Sequence, residues 1–215
     1  MDVKRETKID FFEDVLLSTK RDGMEDLLDY IRNSDFYTAP ASTRFHGSYE
    51  GGLLDHSLNV YDRLTNKFCV DSSDSLWERI KKEHWRYSVD TLAIVSLLHD
   101  ICKTYYYDVE MRNKKVYSDT GSKTDNKGRY DWQSVPVYIV NDKIPYGHGE
   151  KSVMIIERFI NLTNEERFAI RWHMGAYEPK ENWNTLSEAI DKFPLVLALH
   201  QADMEATHFM DITPQ

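Results

Sequence analysis

One change of period governs how this chain can fold. Apolar residues recur at helical intervals in 9–20, 23–32, 53–68, 74–86 and 89–102, then again in 149–161, 164–173, 185–192 and 194–208. After Thr104 the pattern switches. The segments "YYYDVEMRNKKVYSD" and "RYDWQSVPVYIVND" are rich in Tyr and Val and partly alternate, with a polar tip, "TGSKTDNKG", between them. That is the signature of a β-hairpin set between helices, over about 104–141. A second interruption, "NSDFYTAPASTRFHGSYEGG", has no period and reads as a long loop, a type often used for function. Thr163 and Glu166 form a capping box before one helix, and Pro194 opens another in its first turn. No repeat and no linker divides the chain, so residues 1–215 read as one mostly helical domain.

Lys and Arg number 27 against 36 Asp and Glu, a formal charge of -9. That balance disfavours stable binding to a nucleic-acid backbone, while leaving room for a small anion held by local positive charge. Cys69 and Cys102 lie in apolar helical contexts without a CxxC spacing and read as free buried thiols in a reducing compartment. No apolar run approaches the roughly 18 residues of a membrane span. The N-terminus lacks a signal-peptide core, and the expectation is a cytoplasmic protein.

The histidines carry the chemistry. Of eight, His56, His99, His148 and His173 sit at the end of, or inside, apolar helical stripes, and His99 is followed at once by Asp100. Asp203 occupies a similar place in "LALHQADMEA". One such residue is usually a hydrogen-bonded core group. Five such places suggest a shared cation, because buried lone pairs need partners and imidazole with carboxylate suits transition metals. Asp100 has two oxygens and could bridge two ions. His84 and His208 read as surface residues. His200, one turn before Asp203, reads as a partner that orients a ligand.

The ordered set His56, His99-Asp100, His148, His173, Asp203, with the flanks "EGGLLDHSLNV", "LLHDICK" and "LHQADMEA", resembles the HD superfamily of metal-dependent phosphohydrolases. The likeness covers roughly residues 40–208. The segments "PYGHGEKS" and "IRWHMG" resemble the subgroup, found in bacterial and phage proteins, with extra histidines between the second and last motifs. The resemblance implies an all-α bundle, from which the inserted hairpin departs. It implies that His56, His99, Asp100 and Asp203 hold one divalent metal (Mn, Fe, Zn, Co or Ni). His148 and His173 would hold a second, with Asp100 bridging and a metal-activated water cleaving a phosphoester.

Lys103 matches a position where family members carry a lysine; the expectation is that Asp100 and Lys103 act in catalysis, with Lys103 on the scissile phosphate. A helix-end lysine favouring the C-terminal dipole is the plainer alternative. Arg44 and His46 in the long loop, and Lys151 at a helix N-terminus, are further candidates for substrate contact. Arg171 reads as structural, and Glu150 as a complement to the helix dipole. Tyr105, Tyr107, Tyr130 and Trp132 could stack on a base, though packing against the body is the preferred reading for most of them. The expected substrate is a nucleotide or similar small phosphorylated compound, as monoester or diester. Two alternatives stand: an exonuclease on short single-stranded nucleic acid, which the missing oligonucleotide-binding domain weakens, and a non-catalytic metal- or nucleotide-binding sensor. A homodimer is compatible with the sequence.

Overall fold

The computed structural model describes residues 3–68, 74–75 and 87–211. The helix expected over 74–86 falls, but for its first two residues, outside this range, as do Cys69 and His84. In chain order the helices are α1 (Val3–Ser18), α2 (Met24–Arg32), α3 (Gly52–Phe68), α4 (Val89–Leu98), α5 (His148–Ile156), α6 (Asn164–Trp172), α7 (Trp183–Lys192) and α8 (Leu195–Glu205). A π-helical turn, Ala206–Met210, extends α8. Among the described residues no helix is long and apolar enough to cross a membrane.

The bundle is organised around α4. Ser88 caps it by accepting from the Thr91 backbone N–H, and residues 92–98 are all buried. A helix apolar on every side can only be central. Accordingly α3, α6 and α1 pack against it, while α8 packs on α3 and α6, and α5 packs on α6. One core runs through Phe12, Leu16, Leu28, Leu53, Val60, Leu97, Ile155, Ile170 and Leu199. A smaller cluster, Trp172, Leu186, Ala189 and Val196, seats α7.

The capping box at the start of α6 forms as expected: Thr163 Oγ1 accepts from the Glu166 N–H, and Glu166 accepts from the Thr163 N–H at 2.8 Å. Glu166 is wholly buried and does more. It also accepts from Arg21 at 2.5 Å and from Thr91 Oγ1 at 2.9 Å, so one carboxylate ties together the chain before α2, the first turn of α4 and the head of α6. Its pKa is lowered: burial opposes the charge, but these donors outweigh it.

The inserted segment is a three-stranded antiparallel sheet in the order β1-β3-β2, with β1 Tyr107–Tyr117, β2 Lys123–Asp125 and β3 Gly128–Val140. β1 and β3 pair from Tyr107↔Val140 to Tyr117↔Tyr130. The polar tip is therefore more ordered than a plain hairpin turn, because β2 folds back onto Arg129 and Tyr130. Most of the ribbon is solvent-exposed on both faces, and its base is fastened to the body. Tyr107 Oη donates to the Ala41 carbonyl, and Tyr105 Oη to the Asn33 carbonyl. Tyr130 and Trp132 contact each other and Lys115, all on the ribbon itself.

The long loop before α3 is tightly held. Phe36, Ala39 and Ala41 are buried, and the Leu53 N–H donates to the Ala39 carbonyl. A Cβ on Gly52 would lie 2.0 Å from the Gly47 carbonyl oxygen, so the loop closes on α3 only because residue 52 has no side chain. That closure carries His46 over the head of α3.

Candidate metal centre

Five helices deliver side chains to one point. His56 comes from the first turns of α3, Asp203 from α8, and His148 opens α5. His99 and His173 are the residues that end α4 and α6. At Asp100 the backbone leaves helical geometry (φ -105°, ψ 15°), so His99 and Asp100 exit in different directions and still face one space. His148 reaches His173 because α5 and α6 nearly touch. A Cβ on Gly149 would lie 2.2 Å from the Arg171 carbonyl oxygen, so glycine there is a packing requirement.

Each imidazole has its Nδ1 engaged and its Nε2 turned inward. His99 Nδ1 lies 2.7 Å from the Ser96 carbonyl and His173 Nδ1 2.7 Å from the Ile170 carbonyl. Carbonyls only accept, so Nδ1 carries the hydrogen in both rings and Nε2 presents a lone pair. His56 Nδ1 donates to Asp211 Oδ2 at 2.7 Å, and Asn59 steadies the other oxygen of that carboxylate. His148 Nδ1 lies 3.3 Å from Cys102 Sγ.

The Nε2 atoms sort between the two oxygens of Asp100. His56 and His99 each lie 3.5 Å from Oδ2. His148 lies 2.7 Å and His173 3.6 Å from Oδ1. Asp203 stands 3.3 Å from His56 Nε2, on the Oδ2 side. Lys103 Nζ also sits on Oδ2, at 2.6 Å.

Two features show that this donor set fits a cation. The Nε2 atoms of His56 and His99 face each other at 3.3 Å, close enough to share one positive centre, whether a proton or a metal ion. His173 Nε2 is buried and has no hydrogen-bond partner, although burying an unsatisfied acceptor costs roughly 1–3 kcal/mol. His56-His99-Asp203, His99-Asp100-His173 and Asp100-Cys102-His148 each offer ligand atoms within 4.8 Å of one another. Imidazole nitrogen with carboxylate oxygen suits a divalent transition metal.

The electrostatics agree. Burial pushes His99 down to about 3, so its ring is neutral. Burial also opposes charge on His56, but hydrogen bonds to Asp203 and Asp211 carry it up to about 9. Burial opposes charge on His148 as well, and Cys102 and Asp100 raise it to about 10. Asp100 is held well below the ordinary carboxylate range: Lys103, His99 and His148 overcome its burial. A proton thus takes the place of a cation on His56 and His148.

The centre opens into a cavity of about 570 Å³. Its lining includes His46, Lys103, Tyr106, Tyr107, Met174 and Tyr177. His46 is pushed down to about 4 by burial and lies, uncharged, 5.2 Å from His56 between ring centres. His208, expected at the surface, is exposed and also lines this cavity.

Other expected site residues stand elsewhere. Lys151 is buried, paired with Asp142 at 2.6 Å over the Tyr106 ring, and does not line the cavity, because its side chain turns back from the helix head to the segment after β3. Arg44 is exposed between the cavity-lining Thr43 and Phe45 without lining it. His200 donates through Nδ1 to the His173 carbonyl at 2.8 Å, bracing the chain beside a candidate ligand. Arg171 is structural, pairing with Glu150 and Glu178. Two residues escaped the sequence reading. Asp211 follows the last helical stripe with no period to flag it, and Cys102 looked like a plain core thiol.

Fold and site define a mostly helical protein with a buried histidine–carboxylate centre and a sheet insertion. No family model matches the chain, and no solved structure matches it. A curated relative is the dihydroneopterin 2',3'-cyclic phosphate phosphodiesterase of Methanocaldococcus jannaschii, 39% identical over 69 residues. The match takes in 32% of this chain and 24% of that protein, so the chain spans about a quarter of the relative's length.

Proposed function

We propose that the chain is an HD-type, metal-dependent phosphohydrolase acting on a small phosphorylated substrate, with a phosphodiester of nucleotide-like size as the first choice. The observation that carries this reading is the convergence of four inward Nε2 atoms on the two oxygens of Asp100, with His173 Nε2 left unpartnered. The phosphodiesterase activity in the relative's name supports the diester, and the ordered histidine–aspartate motifs support the family.

His56, His99, Asp100 and Asp203 would hold one divalent metal, and His148 and His173, sharing Asp100, a second. When bound, such ions lower the pKa of water and stabilise charge on phosphoryl oxygens. The chain's own groups do the rest. Asp100 keeps its negative charge because of its donors, and so remains a ligand across the physiological range. Lys103 pairs with Asp100 and stays protonated; from the cavity wall it offers its ammonium to a substrate phosphate. His46 is neutral and serves as a hydrogen-bonding wall. The apolar rings of Phe45, Tyr106 and Tyr177 supply a face for a planar group and exclude water from it.

The test is metal per chain by elemental analysis after purification without chelator, on wild type and His148→Ala, with turnover of bis-p-nitrophenyl and p-nitrophenyl phosphate. About two equivalents falling to about one, with the diester preferred, is the expected result. No metal retained after reconstitution would overturn the reading. Turnover confined to short single-stranded oligonucleotides would move it to the exonuclease alternative.

A further inference from the structure

We propose that the chain forms a two-fold dimer by pairing the free edge of β1 with β1 of a second copy, making a continuous six-stranded sheet. β1 lies at the outside of the β1-β3-β2 order, and among the described residues no backbone group other than those of β3 pairs along it. Eleven consecutive residues therefore present an open edge without a proline or glycine. The far edge of β3 beyond Tyr130 is guarded differently: it carries Pro136, which has no N–H to offer.

Charges on an edge usually prevent such pairing. Here their order does the reverse. On one face of β1 lie Asp108, Glu110, Arg112 and Lys114, two negative residues followed by two positive ones, symmetric about Met111. Placed antiparallel across a two-fold axis at Met111, Asp108 of one copy meets Lys114 of the other, and Glu110 meets Arg112. Each pair occurs twice, so all four cross-strand neighbours on that face are opposite in sign. A parallel or frame-shifted partner loses this match. The other face brings the exposed Val109 and Met111, 59% and 61% accessible, against the same strand of the partner, with Met111 on the axis. Within one copy, Glu110 and Arg112 bond each other along the strand and Asp108 accepts from Asn141 and pairs with Lys143, so these three charges exchange partners when the second copy docks.

The experiment is sedimentation equilibrium on the full chain, with two charge-reversed variants at these solvent-facing positions. Wild type is expected at twice its 25.3 kDa mass. Arg112→Glu/Lys114→Glu makes the edge all-negative, and Asp108→Lys/Glu110→Lys makes it all-positive. Each variant alone is expected to associate on the order of a hundredfold or more weakly. Mixed one to one, the two variants restore a heterodimer. A wild type that stays at monomer mass throughout, variants that dimerise alone like wild type, or a mixture that remains monomeric would each overturn the proposal. Repeating the runs with chelator separates it from the metal reading, on which it does not depend.

Discussion

Glu166 shows how much one buried carboxylate can hold. It accepts from Arg21, Thr91 and the Thr163 N–H while fully out of water. Its folded-state pKa lies below the ordinary 4.5, so on acidification the unfolded chain takes up this proton first. The stabilisation is complete above about pH 4.5 and drains away as the pH falls through the lower folded value. Glu166→Gln is expected to cost about 2–3 kcal/mol at pH 7, read from denaturant midpoints, and the gap to wild type should narrow below pH 4. A gap that stays constant across that range would mean that the charge is not what stabilises. The sequence exposed only the local half of this residue's role. The Thr163–Glu166 spacing gives the cap, whereas Arg21 and Thr91 are brought to it by packing that no local pattern encodes.

At the level of elements, helices such as α2, α3 and α6 were readable from an apolar stripe of helical period, α4 from a continuous apolar run of helical length, and the ribbon because Tyr and Val partly alternate there. The histidines were readable for a related reason: a polar side chain at the end of an apolar stripe must find a partner. Three things were not readable. The strand β2 is three residues of a polar tip, too short to show a period. Lys151 follows His148 at a helix head that looked ready for an anion, but Asp142 lies within reach and takes its charge. Asp211 depends on the π-helical turn after α8, which has no sequence period of its own. The spacing of α5 and α6 was equally hidden, yet it rests on Gly149. Gly149→Ala is expected to push His148 away from Asp100 and His173, at a packing cost of about 1–3 kcal/mol. Elemental analysis should then find about one metal fewer per chain, with helical content by circular dichroism unchanged. Full metal content in this variant would show that the contact yields without moving the histidine.

Over the whole molecule, the centre is the place where α3, α4, α5, α6 and α8 come together, so anything bound there braces most of the bundle. His173 Nε2, buried at the middle of the fold with no hydrogen-bond partner, gains one in a bound cation. Divalent metal at about a hundred times its Kd should stabilise the folded state by about 2.7 kcal/mol. For a chain of this size that is a rise in Tm of about 5–10 °C, reversed by chelator and measurable by scanning calorimetry. An unchanged Tm at saturating metal would mean that the ligands are not where the ion binds.

The locks on the four Nδ1 atoms differ in kind. For His99 and His173 the partner is a main-chain carbonyl three residues back, which any residue at positions 96 and 170 supplies from its backbone. For His56 and His148 the partners are the side chains of Asp211 and Cys102. Half of the centre is therefore indifferent to substitution behind it, and half is adjustable from two positions outside the ring of imidazoles. Divergence that retunes this centre while leaving its inward-facing residues intact has Asp211 and Cys102 to work with.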